Sequence, residues 1–183
     1  MKILTIGTDG FLGSWVNKLL QSEHSNFQML EIPGKEECDL TEFSEISNYL
    51  KEKSPDIVIN CAAFVGGISY GYKYPVEMLS KNSLMAMNIY KASYENGVKK
   101  LINPISNCAY PAKFTTYKEE DIFNGPPDKS VFNYALSKRL FIQLGQAYFD
   151  QYTFSSANVV LSNMYGPGDH FYPERSHALG AII

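Results

Sequence analysis

The sequence has little of what metal sites, disulfide frameworks and membrane spans require. Its three cysteines, Cys38, Cys61 and Cys108, are odd in number and scattered, which gives no disulfide framework and suits a reducing cytoplasm. Its three histidines show no spacing typical of a metal site, so we expect no metal. The longest apolar stretch, residues 57–68, is interrupted by Asn60 and two glycines and cannot cross a bilayer. We therefore expect a cytoplasmic protein with no membrane partner.

Positive charge is also scarce. The 16 Lys and Arg residues are outnumbered by 19 Asp and Glu residues, which gives a net charge of −3. The only lysine cluster, Lys99-Lys100 with Lys91 nearby, is short and indicates a solvated helix end. No nucleic acid is expected as a partner. The first residues carry one charge and too short an apolar run for a signal peptide, and they predict a first strand instead.

What the sequence does contain is an alternation of apolar runs and helical patterns. At 183 residues and 45% hydrophobic content, the chain can bury the core of one domain. The predicted strands are Ile3–Ile6, Phe27–Ile32, Asp56–Cys61, Lys100–Pro104 and Phe154–Val160. The predicted helices are Leu12–Ser22, Glu42–Lys53, Pro75–Asn96 and Val131–Tyr152. Strict alternation implies right-handed crossovers and a parallel sheet covered on both faces, which is a doubly wound α/β domain of the Rossmann type.

A glycine-rich turn lies at the first predicted strand–helix junction. Gly7, Gly10 and Gly13 follow the spacing Gly-x-x-Gly-x-x-Gly, and Phe11 and Leu12 lie between the last two. Glycines permit a tight turn and a close approach of the backbone to a pyrophosphate, and the N-terminus of the helix attracts that anion. A glycine motif alone is consistent with an ordinary turn, but its place at the first junction predicts dinucleotide binding.

Residues after the second strand bear on which dinucleotide binds. Glu31 near the end of that strand would hold the ribose hydroxyls and reject a 2′-phosphate, whereas Lys35 would attract the phosphate. Asp39 and Leu40 suit the edge of the adenine, although the pattern with Thr41 is equally typical of the capped start of a helix.

Small residues follow the third strand. Ala62 and Ala63, with two glycines shortly after them, would let a bound cofactor pass close above; tight packing alone is the alternative. We expect residues 1–160 to form an NAD(P)-binding Rossmann domain. Residues 161–183 end in an apolar helical pattern and would be the start of a substrate-binding region. The chain is therefore expected to be a fragment or a short member of its class, with the C-terminal substrate domain largely absent.

A tyrosine and a lysine four residues apart are the candidates for proton transfer. Tyr134 and Lys138 would lie on one face of a helix, with the ammonium beside the phenol. A free tyrosine ionises near pH ~10, and a neighbouring cation favours the phenolate. Such a pair also occurs by chance on amphipathic surface helices. Ser106, one strand–loop–helix unit upstream, adds a hydroxyl that belongs to the same predicted sheet edge.

Taken together, the glycine turn, Cys61-Ala62-Ala63, Ser106 and the Tyr134/Lys138 pair resemble the extended short-chain dehydrogenase/reductases over essentially the whole chain. Residues 163–167, Asn-Met-Tyr-Gly-Pro, are typical of members that act on nucleotide sugars. The resemblance implies that Tyr134 is the general acid/base, that Lys138 lowers its pKa and holds the nicotinamide ribose, and that Ser106 binds the substrate carbonyl. It also implies that Asn163 contacts substrate and that Asn82 supports the backbone near the site.

Two further residues resemble the GDP-L-fucose synthase family within this group. Cys108 follows Ser106 by two residues, and His177 lies in a Pro-x-x-Ser-His pattern. The resemblance implies that Cys108 is the base and His177 the acid that invert C3 and C5 of a GDP-4-keto-6-deoxyhexose, before hydride reaches C4 and Tyr134 protonates the oxygen. Cysteine and histidine, with reference pKa values near ~8.5 and ~6.5, can exchange protons at neutral pH once the site adjusts them.

Departures from the family pattern keep some alternatives open. Asp9 stands where fucose synthases often have a basic residue, and no arginine lies near Lys35, so NADP is expected with NAD not excluded. Dehydratases usually carry an acidic pair after the serine, and here those positions are Asn107 and Cys108. Three alternative functions remain open: a 4-epimerase, a GDP-keto-heptose epimerase/reductase, and a cofactor-binding module without catalysis. A homodimer is expected by resemblance, through the two long helices, although these helices could simply cover the sheet.

Overall fold

The computed structural model describes residues 1–24 and 26–169. Its centre is a sheet of five parallel strands in the order β2-β1-β3-β4-β5. The strands are β1 (Lys2–Ile6), β2 (Gln28–Ile32), β3 (Ile57–Asn60), β4 (Lys100–Ser106) and β5 (Ser156–Leu161). The predicted doubly wound α/β fold is therefore confirmed, with the predicted strand boundaries correct to within two residues.

Within the described residues, five α-helices connect and cover these strands. They are α1 (Phe11–Glu23), α2 (Phe43–Lys53), α3 (Ile68–Lys73), α4 (Pro75–Glu95) and α5 (Phe132–Tyr152). Helix α4 packs between α2 and α5, whereas α1 packs on β1 and β2. Because right-handed crossovers in opposite directions place helices on opposite faces, α1 covers one face, and α2, α4 and α5 cover the other. The sequence did not predict α3, which is a helix of six residues with no buried residue and therefore no apolar periodicity.

The core lies between the sheet and the layer of α2, α4 and α5. Each of these elements presents its apolar side to the same cluster, and the members with no measurable exposure include Leu4, Val58, Leu101, Ile46, Leu50 and Ile89. Burial of each large apolar side chain contributes roughly 1.5–3 kcal/mol relative to exposure. No helix within residues 1–24 and 26–169 combines the length and apolarity needed to cross a bilayer.

The strand order reverses at β1, and this reversal places the functional site. From β1 the chain runs to β2 on one side, and it then returns to β3 on the other side. In open α/β sheets a crevice forms outside the carboxyl ends of the strands at such a switch point. The glycine turn after β1 and the segment 61–67 after β3 both lie at this crevice.

Candidate active site

In the glycine turn, the backbone that follows β1 contacts both the backbone that follows β3 and the first turn of α1. Gly7 has a φ of +82°, and a Cβ there would lie 2.9 Å from the amide nitrogen of Ala62. A Cβ at Gly13 would lie 2.1 Å from the carbonyl oxygen of Gly7. A side chain at Gly7 would thus push the end of β1 away from the segment after β3, and a side chain at Gly13 would push α1 away from β1. The turn is as tight as the sequence predicted, and Ala62 lies directly beside it.

The first turn of α1 has the donors that an anion requires. Gly10 caps the helix with extended backbone and no side-chain hydrogen bond, and the first turn contains no acidic residue. The N–H groups of Phe11, Leu12 and Gly13 lie in this first turn, where no intrahelical carbonyl can accept from them. Free N–H groups and the positive end of the helix dipole attract a phosphate group. These residues fit the pyrophosphate of a dinucleotide.

Glu31 is fixed beside the turn by two side chains. Its Oε2 accepts hydrogen bonds from Thr8 Oγ1 at 3.0 Å and from Asn17 Nδ2 at 3.0 Å. The carboxylate is thus oriented at the edge where the sequence predicted a ribose contact. Sequence reasoning missed Thr8 and Asn17; the only signal was a polar residue, Asn17, among the inward positions of α1, where it is buried.

The predicted adenine residues behave differently from one another. Asp39 pairs with Lys35 Nζ at 2.8 Å and accepts hydrogen bonds from the backbone N–H and the hydroxyl of Thr41. The hydrogen bond from Lys35 is the main reason that the pKa of Asp39 falls to about 2. Asp39 therefore orders the turn at residues 39–41 ahead of α2, whose N-cap residue, Glu42, makes no side-chain hydrogen bond. The side chain of Leu40 is buried in the core and its carbonyl accepts from Asn88, so only its backbone N–H can face a cofactor.

Two asparagines hold the segment that follows β3. Asn60 accepts a hydrogen bond from the N–H of Ala62 at 3.2 Å. Asn82 on α4 is buried, accepts from the N–H of Phe64 at 2.9 Å and donates to the carbonyl of Phe64 at 2.9 Å. Ala62 and Ala63 therefore present a fixed backbone to the crevice. The contacts of Asn82 agree with the supporting role that the resemblance implied.

The catalytic candidates of β4 and α5 meet at the carboxyl edge of the sheet. Ser106 ends β4, and its Oγ accepts a hydrogen bond at 3.2 Å from the N–H of Cys108, which lies in a 3₁₀ turn at residues 107–109. Tyr134 on α5 is close enough to Cys108 for the two groups to interact electrostatically. The Nζ of Lys138 lies 5.5 Å from the centre of the Tyr134 ring. Four of the predicted catalytic residues are thus brought together.

Burial dominates the electrostatics of this group. It raises the pKa of Tyr134 above the usual value, and the nearby Cys108 raises it further. Burial lowers the pKa of Lys138 to about 8. The expectation that Lys138 lowers the pKa of Tyr134 is therefore not met in the chain taken alone, because both groups lose hydration. A phenol with a raised pKa stays protonated at neutral pH and is suited to donate its proton.

Lys138 is a buried cation with an unusual environment. It is only 4% exposed, and its Nζ lies between the rings of Tyr134 and Phe141, 5.1 Å from the centre of the latter. Within the described part of the chain, no hydrogen-bond acceptor or carboxylate pairs with this ammonium. Cys61 is near enough to interact with it electrostatically. An orphaned ammonium here fits the hydroxyls of a nicotinamide ribose.

The buried ammonium makes stability depend on pH. Because the pKa of Lys138 is about 8 in the fold and 10.5 in its ordinary state, the unfolded chain binds more protons between these values and stability rises with pH there. We expect Lys138→Met to stabilise the fold by about 3 kcal/mol at pH 7, with the gain lost above a pH of roughly 10.5.

Urea unfolding at both pH values measures this difference, with Lys51→Met as the control because Lys51 lies exposed on α2. Equal stability of Lys138→Met and the parent protein at pH 7 would show that the buried charge carries no such cost.

Of the two remaining predicted site residues, Asn163 lies near the end of the described residues and His177 lies outside them. Asn163 is exposed just after β5, at the same edge of the sheet as Ser106. His177 lies outside the described residues, so its predicted roles as acid and substrate contact stay predictions. Among residues 1–24 and 26–169 there is no cluster of three or more His, Cys, Asp or Glu side chains that could hold a metal ion.

The sequence matches a known protein family over nearly its whole length. Residues 3–183 match the profile described as the NAD dependent epimerase/dehydratase family. The chain belongs to this family. Membership in the NAD dependent epimerase/dehydratase family confirms the resemblance that the turn, Ser106 and the Tyr134/Lys138 pair indicated.

Relatives with GDP-sugar names match all of the chain. The GDP-L-fucose synthase of Azorhizobium caulinodans is 34% identical over 100% of this chain and 58% of its own length. The GDP-L-colitose synthase of Yersinia pseudotuberculosis is 32% identical over 100% of this chain and 59% of its own length. The chain thus spans well under two thirds of the length of these relatives.

Solved structures of similar proteins have the same fold. A GDP-L-fucose synthetase from Naegleria fowleri bound to NADP is 30% identical, with a TM-score of 0.87 over 99% of this chain and 56% of its own. A GDP-D-glycero-L-gluco-heptose synthase from Campylobacter jejuni, solved in the presence of NADPH, is 25% identical, with a TM-score of 0.89 over 99% of this chain and 53% of its own.

Proposed function

We propose that this chain is the cofactor-binding and catalytic part of a nucleotide-sugar epimerase/reductase. The reaction inverts C3 and C5 of a GDP-4-keto-6-deoxyhexose and reduces C4 with NADPH, to give a GDP-L-fucose-type product. The observation that carries the proposal is the meeting of Cys108, Tyr134 and Lys138 at the sheet edge that also holds the glycine turn. Relatives named as GDP-L-fucose and GDP-L-colitose synthases support the substrate class.

NADP is the proposed cofactor, and NAD is the alternative. The first turn of α1, residues 11–13, would bind the pyrophosphate, and Ala62 and Ala63 would lie beneath the cofactor. Lys138 would donate hydrogen bonds to the nicotinamide ribose, and Glu31, Asp39 and Leu40 would lie on the adenosine side. When bound, the reduced cofactor supplies the hydride for C4. The NADP-bound structure from Naegleria fowleri supports this assignment.

The chain's own residues would perform the proton transfers. A 4-keto group acidifies the C–H bonds at C3 and C5, so a base such as the Cys108 thiolate can remove a proton there. Negative charge then develops on the keto oxygen, where the hydroxyls of Ser106 and Tyr134 would donate hydrogen bonds. His177 would return a proton to the opposite face of the ring. In the reduction, the protonated phenol of Tyr134 would donate its proton to the oxygen at C4.

Replacement of Cys108 separates the two halves of this reaction. We expect Cys108→Ser to slow the exchange of C3 and C5 hydrogens with solvent deuterium by roughly 10²–10⁴-fold, because a serine hydroxyl is far less acidic than a thiol. Hydride transfer to an already epimerised ketone should be nearly unchanged. Mass spectrometry of the sugar and NADPH absorbance measure the two rates in the longest expressed form of the protein.

Cys38→Ala is the control for that experiment, because Cys38 is buried in the core under α2 and away from Ser106. Undiminished deuterium exchange in Cys108→Ser would show that another group is the base. No oxidation of NADPH or NADH with any GDP-keto-sugar, by the unmodified protein, would exclude the reductase function and leave a cofactor-binding module.

A GDP-keto-heptose is the second candidate substrate, and the structural similarity to the heptose synthase of Campylobacter jejuni favours it. The chemistry at C3, C5 and C4 would be the same, so a comparison of kcat/KM for the two GDP-sugars decides between them.

A homodimer through α4 and α5 is also proposed. Apolar side chains exposed on these helices support it, among them Val76, Leu84, Met87 and Phe149. Light scattering by the longest expressed form measures the association.

A further inference from the structure

Arg139 joins the catalytic helix to the loops beside the active site. It follows Lys138 on α5, and its Nε donates a hydrogen bond to the carbonyl of Ala109 at 2.7 Å. Its Nη2 donates to the carbonyl of Gly125 at 2.8 Å. The guanidinium also lies 5.7 Å from the centre of the Phe123 ring. One side chain therefore contacts α5, the 107–109 turn and the 122–127 loop.

The guanidinium of Arg139 donates to two backbone carbonyls and forms no ion pair within the described residues. In the described part of the chain, Arg139 has no carboxylate partner, so its charge serves only these two backbone oxygens and the ring. Partial burial lowers its pKa, although the group stays charged. Charge-assisted hydrogen bonds are the strong ones, and the planar fork of arginine holds two acceptors in a fixed relative geometry, which the freely rotating ammonium of a lysine does not.

The acceptor on Ala109 is the important one for chemistry. Ala109 ends the 3₁₀ turn that begins with Asn107, and Cys108 is the residue between them. The other end of this turn is held by the hydrogen bond from the N–H of Cys108 to Ser106 Oγ. Cys108 thus lies between one contact to β4 and one contact to α5, whereas Tyr134 is part of a helix of 21 residues packed on α4 and the sheet.

We infer that Arg139 is a positioning residue that holds Cys108 at a fixed place relative to Tyr134. The inference rests on the proposed function of Cys108 as a base. Loss of the guanidinium would release the far end of the turn while leaving Tyr134 and Lys138 on their helix. The base would be misplaced and the proton donor would not, so deprotonation at C3 and C5 should suffer more than hydride transfer.

The test compares Arg139→Met, which keeps most of the alkyl chain and removes every donor, with Arg139→Lys, which keeps the charge but replaces the planar fork with a single ammonium. We expect Arg139→Met to slow deuterium exchange at C3 and C5 by about 10²-fold, as misplacement of a reacting group by about 1 Å does. Hydride transfer to an already epimerised ketone should fall much less. Arg139→Lys should recover part of the exchange rate. Gln143→Met, on the exposed side of α5, is the control and should change neither rate.

A second measurement does not depend on the reaction. Amide hydrogen exchange by mass spectrometry should become faster in residues 107–110 and 123–126 of Arg139→Met, and not in Gln143→Met. If the parent protein fails to exchange C3 and C5 hydrogens, the proposed function fails, and the amide exchange still tests the role of Arg139. Equal losses of both rates, or unchanged amide protection in both segments, would overturn the inference.

Discussion

Tyr134→Phe is expected to lower the rate of NADPH oxidation with a GDP-4-keto-sugar by roughly 10²–10⁴-fold, the usual contribution of a positioned general acid. Burial raises the pKa of the Tyr134 phenol and keeps it protonated at neutral pH, which suits the role proposed above as proton donor to the oxygen at C4. Phenylalanine retains the packing and removes the proton. Among the residues that the structure describes, the Tyr134 hydroxyl makes no hydrogen bond, so the stability of the fold should change little.

The same substitution elsewhere on α5 provides the matched control. Tyr148 is half-buried against Tyr90 and Tyr152, and Tyr148→Phe also removes one hydroxyl from this helix. We expect Tyr148→Phe to reduce the keto-sugar at the rate of the parent protein. Thermal unfolding of both variants should verify that they are folded. Reduction by Tyr134→Phe at more than a tenth of the parent rate would assign the proton donor to another group.

Gly13→Ala should disrupt the glycine turn. The added Cβ would lie 2.1 Å from the carbonyl oxygen of Gly7 and 2.6 Å from its carbonyl carbon, and both atoms belong to backbone that cannot rotate away. Overpacking of this kind costs about 1–3 kcal/mol, and here we expect the upper end. That corresponds to a fall in the melting temperature of roughly 6–12 °C for a chain of this size. Binding of NADP should weaken as well, since α1 would move from the position in which its first turn is proposed to bind the pyrophosphate.

Gly10→Ala, only three residues earlier in the same turn, is the matched control. Its Cβ would lie 3.2 Å from the Gly7 oxygen, on an exposed residue whose φ of −81° suits alanine. A small shift would accommodate this methyl group, so we expect a much smaller loss of stability. Differential scanning calorimetry and NADP titration compare the two variants. Equal losses of stability and of NADP affinity in the two variants would mean that the close packing of Gly13 against the Gly7 carbonyl is not what the turn requires.

The sequence predicted the elements of this fold because their signals are local. The branched apolar runs that became β1 to β5 and the periodic runs that became the four longer helices differ from the structure by one or two residues. Helix α3 gave no such signal, because its six residues bury nothing. Spacing alone also placed Tyr134 and Lys138 on one face of α5.

What spacing could not supply was the environment of each side chain. A sequence shows Lys138 four residues after Tyr134, but the loss of water that lowers its pKa comes from distant elements that fold over it. The partners of Glu31 and the carbonyls that Arg139 reaches are likewise far away in the chain. The burial of the Leu40 side chain in the core also depends on distant elements, and the predicted cofactor contact of Leu40 stays a prediction for its backbone N–H.

The reversal of strand order links formation of the site to pairing of the central strands. Residues 7–13, 61–64 and 106–138 become neighbours only when β1, β3 and β4 are all paired in register. The complete site is therefore present only in the fully paired sheet. Cofactor then acts as a selective ligand of the native state, which it stabilises by about 2.7 kcal/mol at 100 times its dissociation constant. The melting temperature of the protein should therefore rise with the concentration of cofactor.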